Sequence, residues 1–245
     1  MSQPTVCVVM LVNGREAMTR RAIASFRAQT YERKRLVVVN SGDAQITTDA
    51  MRGEFTGIYA GPQVTIGVLR NAGNQLAVQK FDPSFIAHMD SDDWSHPRRL
   101  EEQVALLEAS GKQCVGYREM LFWDPRCRNR HNEAWLYCNP GRGLCAGGTI
   151  MYRRELWERC PFPDAPHEDR RWWSDNQAVS AGYLDASAMA MEGPDGPLPL
   201  WGPRFIAHIH GGNSETIPRS TMLAGGGVWK RAPEFDSYCA ERMKL

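Results

Sequence analysis

The chain has 245 residues, 42% hydrophobic and 23% charged, with a formal net charge of +1. This is the composition of a folded chain, long enough for one α/β domain with a sizeable core, and not of a disordered one. The balanced charge singles out no anionic partner, and no apolar run approaches the ~20 residues of a membrane span. Seven cysteines include no Cys-x-x-Cys pair, and no leader is read at the N-terminus. Reduced thiols and a cytoplasmic location are therefore expected.

Val6 to Val12 is a continuous apolar run, predicted to be a parallel strand buried on both faces. Asn13-Gly14-Arg15 breaks it, and Met18, Ala22, Ile23 and Phe26 then recur at helical spacing. Leu36 to Val39 is a second strand, closed by Asn40-Ser41-Gly42-Asp43. This βαβ start places Asn13, Asn40, Ser41 and Asp43 on one rim, where polar groups can meet a nucleoside or simply make turns. Val64 to Leu69 is predicted to be a third strand, followed by a short helix to Lys80. Arg70 at that helix start could meet a phosphate, and the alternative is a surface arginine.

Phe85 to Asp90 is a further buried strand, and Asp90-Ser91-Asp92-Asp93 puts three carboxylates in four residues at its end. Pro97 then opens a helix with Leu100, Val104 and Leu107 on one face. Ligands bind at the carboxyl ends of strands in open α/β sheets. Clustered carboxylates there repel unless a cation sits between them, and Mg²⁺ or Mn²⁺ with a diphosphate suits such oxygens. Acids before a helix also serve as caps.

Beyond Gly111 the pattern becomes antiparallel: Cys114 to Trp123 and Trp135 to Tyr137, around a loop bearing Arg126, Arg128 and Arg130. That loop reads as a solvated surface or as a face for an anionic acceptor. Gly147-Gly148 allows close approach of a ligand to the backbone, or a tight turn before a strand from Thr149 to Tyr152. A short helix covers Arg153 to Cys160. Glu168-Asp169 opens a helix expected to reach Ala181, with Trp172 and Trp173 offering ring faces to a sugar. Ala186 to Met191 and Arg204 to Ile209 are predicted strands. His208 and His210 close the second, and only one of them is expected to face a given site.

These pieces resemble the family 2 glycosyltransferases, the inverting GT-A group that uses sugar nucleotides. Ser25 to Tyr31 is similar to its S-x-x-x-Q-T-Y, Leu36 to Asp43 to the strand ending D-D-G-S, and Arg70-Asn71-x-Gly73 to A-R-N-x-G. Asp90-Ser91-Asp92-Asp93 with Pro97 and Leu100 is similar to D-A-D-D-x-x-x-P-x-x-L. Glu168-Asp169 resembles the E-D pair that carries the family's general base, and His210-Gly211-Gly212-Asn213 a late histidine motif. Asn40-Ser41 stands where the family has aspartates, which leaves the nucleotide base open. Asp175 rivals Asp169, because the stretch to Gly182 is longer than usual.

The resemblance implies an α/β GT-A fold: a Rossmann-like, mostly parallel sheet flanked by helices, with a smaller antiparallel acceptor-side region. It implies one domain over residues 1–219, with a nucleotide-binding half to about 110, an acceptor half from 111, and a tail at 220–245. Transfer of one sugar from a UDP-sugar or other nucleoside-diphosphate sugar to an acceptor hydroxyl follows, with Mn²⁺ or Mg²⁺ on Asp90, Asp92 and His210. Asp169, with Glu168, would be catalytic. Asn13, Arg15, Asn40, Ser41, Asp43, Arg70, Asn71, Asp90, Gly147, Gly148, Trp172 and Trp173 would bind donor and acceptor. A saccharide acceptor is the first expectation and hydroxymethylated DNA the second. Rival readings are a nucleotidyltransferase, which usually carries a glycine-rich, lysine-bearing loop after its first strand, and a non-catalytic nucleotide-sugar binder.

Overall fold

The computed structural model describes residues 3–42, 56–59, 64–125, 133–138, 145–176, 179–185, 192–193, 196–197, 204–210, 219–224 and 228–244. Strands β1 (Val6–Val12), β2 (Lys34–Asn40), β3 (Thr56–Tyr59) and β4 (Phe85–Asp90) form a parallel block in the order β4-β1-β2-β3. Alternate side chains of β1 serve opposite faces, as strand geometry requires. Val6, Val8, Met10 and Val12 pack with Ile23 and Phe26 of α1 (Glu16–Arg27) and with Leu100, Val104 and Leu107. Cys7 and Val9 pack with Leu69 and Ala77 on the other face. A strand covered on both sides must be apolar throughout, which is why the opening run shows no alternation.

The run from Val64 to Leu69 is not a strand. Helix α2 spans Ile66–Phe81, and the Thr65 hydroxyl accepts from the Val68 N–H at 3.4 Å as its N-cap. A short apolar run has no period of its own, and here the cap and the apolar face decided for helix. Gly73 lets α2 lie close on the sheet: a Cβ there would stand 2.5 Å from Val9 Cγ1 and 2.8 Å from Val39 Cγ2.

Chain order around the block sets the site. The connections β1-β2-β3 build to one side of β1, and β4 then pairs on its other side. This reversal brings the carboxyl ends of β1 and β4 together, with Leu11 opposite Asp90. Such a switch point opens a crevice beyond the strand ends. Two-residue β5 (Trp94–Ser95) and α3 (Arg99–Ser110) follow.

The second region carries the expected antiparallel pairing, with Ser180–Asp185 and Phe205–His208 added parallel to Cys114–Asp124. β6 (Cys114–Asp124) pairs antiparallel with β7 (Glu133–Cys138) and with β8 (Met151–Arg153), and β8 joins the block through β4. A 3₁₀ turn over Gly147–Thr149 precedes β8, where a strand beginning at Thr149 had been expected. Helix α4 covers Arg154–Arg159. Helix α5 covers only Glu168–Asn176; Ala181 and Gly182 lie instead in β9 (Ser180–Asp185), paired parallel with β6. The predicted strand at 186–191 lies outside the described residues. A short β10–β11 pair (Glu192–Gly193 with Gly196–Pro197) precedes β12 (Phe205–His208), which joins β5 and β6.

The C-terminal residues are built into the fold rather than appended to it. After α6 (Arg219–Ala224), β13 (Trp229–Arg231) extends the sheet on β7. Helix α7 (Asp236–Arg242) then buries Cys239, and Met243 beyond it, against Leu121, Trp123 and Ile206. Among the described residues Cys7, Cys114, Cys145, Cys160 and Cys239 are free thiols. No helix there is long and apolar enough to cross a membrane.

Candidate active site

The crevice beyond β1 and β4 is lined by two clusters that share the Asp90–Asp92 turn. The first lies at Asp90. Arg70 of α2 places its guanidinium 3.9 Å from Asp90 Oδ1 and donates to Glu168 Oε1 at 3.1 Å. Its other nitrogen lies 2.9 Å from His88 Nδ1, and His88 Nε2 lies 2.7 Å from the Tyr152 hydroxyl. Arg70 is buried, so it is no surface arginine, and its bonds hold the site floor together.

Asp169 stands beside this floor. Its Oδ2 accepts the Gly147 N–H at 3.1 Å. A Cβ on Gly147 would lie 2.7 Å from that oxygen and 2.9 Å from the Arg70 guanidinium, and a Cβ on Gly148 would collide with the Asp90 carboxylate. The two glycines therefore make room for the protein's own carboxylates. Burial and the neighbouring charges both act on Asp90. Desolvation pushes its carboxyl up to about 6; Arg70 opposes this, and Asp92, Asp169 and Glu168 add to the rise.

The second cluster surrounds Asp92. Its Oδ2 lies 2.6 Å from His210 Nε2 and 3.3 Å from an Arg15 guanidinium nitrogen. Desolvation would raise the Asp92 carboxyl, but the His210 hydrogen bond and Arg15 outweigh it and hold the carboxyl below the usual range. Asp93 takes no part in that opening. It is half-buried, its Oδ1 accepts the His208 N–H at 2.9 Å, and desolvation with Asp92 and Asp90 pushes it well up. Arg21, absent from the sequence reading, donates to the Asp92 carbonyl and, at 2.9 Å, to the Met243 carbonyl. It thus ties the acidic turn to the C-terminal helix. Both histidines approach this cluster, with ring centroids 5.6 Å apart, because residues two apart share one face of a strand. A cavity of about 410 Å³ opens beside them, lined by Met18, Trp123 and Met243 among others.

Several expected ligand contacts are engaged elsewhere. Trp172 and Trp173 are 0% exposed and belong to the core, Trp172 stacking on Phe162 at 4.9 Å. Neither offers a face to a sugar, since two adjacent apolar rings on a short helix find more burial inward. Asn71 is consumed by Phe162 and by the Trp157 indole N–H, which donates to it at 2.8 Å. Buried Asn40 accepts the Gly42 N–H at 2.9 Å, and the Ser41 N–H donates to Val12 at 2.8 Å. This is turn chemistry. Glu168 is buried on Arg70, which leaves Asp169 as the carboxylate of the pair open to the crevice. Asp175 is exposed near the far end of α5. Asn13 is exposed on the rim. Asp43, Arg126, Arg128, Arg130 and Gly211 to Asn213 lie outside the described residues.

Comparison with known proteins gives the chain a family and a fold. The description "Glycosyl transferase family 2" matches residues 7–160, and the chain belongs to that family. It is 31% identical over 110 residues to EpsH of Bacillus subtilis, covering 42% of this chain and 30% of that protein. It is 24% identical over 213 residues to an uncharacterized glycosyltransferase of Haemophilus influenzae, covering 75% of this chain and 64% of the relative. The chain thus spans under two thirds of either relative. A crystal structure of S. aureus TarS with UDP-GlcNAc superposes with a TM-score of 0.57 at 14% identity, covering 89% of this chain and 64% of that one. The mannosyltransferase PcManGT from Pyrobaculum calidifontis, in complex with GDP-Man and Mn²⁺, gives 0.53 at 14% identity, covering 99% of this chain and 70% of that one. At such identity the likeness speaks to the fold, which is GT-A.

Proposed function

We propose that the protein is an inverting, metal-dependent glycosyltransferase moving one sugar from a nucleoside-diphosphate sugar to an acceptor hydroxyl. The observation that carries this is Asp169 facing Asp90 across Gly147-Gly148, with Asp92 and His210 at the next turn. The donor class is supported by the UDP-GlcNAc and GDP-Man held by proteins of like fold.

The side chains fit a divalent cation by their chemistry. Carboxylates and an imidazole suit Mn²⁺ or Mg²⁺, and Asp92, Asp169 and Glu168 all stand close enough to act on the Asp90 carboxyl. Among the described residues no three such groups already converge as a finished metal site. Asp90, Asp92 and His210 would hold the ion jointly with diphosphate oxygens, in the manner of Mg²⁺ sites. Bound there, the cation supplies Lewis-acid stabilisation of the leaving diphosphate.

The chain's residues do the rest. Asp169 accepts the acceptor's hydroxyl proton as that oxygen attacks the anomeric carbon, and Gly147 fixes the carboxylate for it. Displacement in one in-line step inverts the carbon. Arg70 and Glu168 keep the floor rigid, and Asn13 contacts the nucleoside from the rim. The division of labour is a nucleotide-binding half to about residue 110 and an acceptor half beyond it. A saccharide is the acceptor class we favour, and a cytoplasmic location accords with the free thiols.

The test is a mass-spectrometric screen of UDP- and GDP-sugars for protein-dependent nucleoside diphosphate release with Mn²⁺. Release that Asp92→Asn and a chelator both abolish is expected. Release indifferent to chelator would remove the metal, and no release from any donor would leave a binding module.

A further inference from the structure

Arg15 occupies an unusual backbone position. It has φ 58° and ψ 55°, the left-handed region, at the N-cap of α1. There it reaches Asp92 Oδ2 at 3.3 Å and His210 Nε2 at 2.9 Å. The same Nε2 lies 2.6 Å from Asp92 Oδ2. The same Arg15 nitrogen lies 3.5 Å from His210 Nδ1, so the guanidinium rests over the imidazole face and leaves the ring edge at Nε2 to the Asp92 carboxylate. Arg15 thus supplies a positive charge beside the carboxylate and imidazole that a divalent cation would take as ligands, and a cation bound to both requires the guanidinium to move away.

We propose that Arg15 is an exchangeable counter-cation: it holds Asp92 and His210 in the metal-free protein and transfers to the donor's diphosphate when the metal takes those two ligands. The inference rests on the metal and donor reading above. Its chemistry is that of guanidinium, which pairs with carboxylate and phosphate oxygens alike. The consequence is thermodynamic coupling. Mn²⁺ alone must displace Arg15 from its partners, whereas Mn²⁺ with a diphosphate offers Arg15 a replacement. Nucleotide and metal therefore each strengthen the binding of the other, by the same factor.

The measurement is Mn²⁺ affinity by electron paramagnetic resonance of free Mn²⁺, with and without UDP or GDP. Wild type is compared with Arg15→Asn, since asparagine tolerates the left-handed backbone. Without nucleotide the variant should bind Mn²⁺ roughly tenfold more tightly, the size of one charge-assisted contact removed. With nucleotide that advantage should vanish, so the gain from adding nucleotide shrinks by a similar factor. A purely structural role predicts weaker binding in both conditions. Unchanged or weaker Mn²⁺ binding without nucleotide, in a variant with the wild-type circular dichroism and melting point, would overturn the proposal. If Arg15→Asn melts early, Arg15→Lys decides, because its shorter, single-point ammonium releases Asp92 in part and should shift the same affinity the same way. A wild type that takes up no Mn²⁺ in either condition would defeat the metal reading itself, and the proposal with it.

Discussion

The Gly147 N–H donates to Asp169 Oδ2 at 3.1 Å and the Arg170 N–H to Oδ1 at 2.8 Å, so backbone amides hold both oxygens of the proposed base. Asp169→Asn should keep donor affinity and lose transfer by roughly 10²–10⁴, the range for a general base. Asp175→Asn, exposed near the far end of α5, should transfer normally. Nucleotide affinity and turnover measured separately check this, and loss confined to Asp175→Asn would move the base there.

Gly148→Ala should damage the site while sparing the fold, because the three atoms nearest its methyl all belong to the Asp90 carboxylate. The expected result is a melting point near that of wild type with a clear drop in Mn²⁺-dependent nucleotide binding. A large fall in melting point with normal binding would place the strain in the backbone.

Glu102 and Arg204 form an ion pair at 3.0 Å with both side chains 1% exposed. Removing one partner of such a pair strands a desolvated charge, so Glu102→Ala should destabilise by about 3–5 kcal/mol. Replacing both, as Glu102→Leu with Arg204→Met, should cost less than the single change. Urea midpoints of the three proteins give the comparison.

His96 accepts the Arg98 N–H at its Nδ1 at 3.1 Å, and burial, with Arg204, Arg98 and Arg242 nearby, pushes its pKa down to about 4. The unfolded chain binds this proton more readily, near 6.5. The neutral ring's contribution is therefore complete above about 6.5 and is lost as pH falls toward 4. His96→Gln should flatten the fall in stability between those limits. Denaturation midpoints at pH 7 and 4.5 show whether the drop shrinks.

Much of the framework follows from the sequence alone. A strand buried on both faces is apolar along its length, so Val6 to Val12, and Phe85 to Met89 with His88 as the one polar exception, are legible as strands without their neighbours. Helical spacing from Met18 to Phe26, and the acids closing β4, place a carboxylate cluster at a strand end. Glu168-Asp169 is readable as an acidic pair opening a helix. Local pattern suffices in these cases because the information lies within one turn or one pleat.

What the tertiary structure decided is which groups face each other. Val64 to Leu69 fits strand or helix by its pattern, and packing on Val9 and Val39 made it helix. Trp172 and Trp173 have the chemistry of a sugar platform, yet the core claimed both. Arg70 carries a phosphate-binding charge, but burial turned it to Glu168 and Asp90. Arg15, Asp92 and His210 meet across separations of 77 and 118 residues. Periodicity is blind at that range: the reversal of strand order at β1 and β4 brings Arg15 to Asp92, and the pairing of β12 with β5 and β6 brings His210.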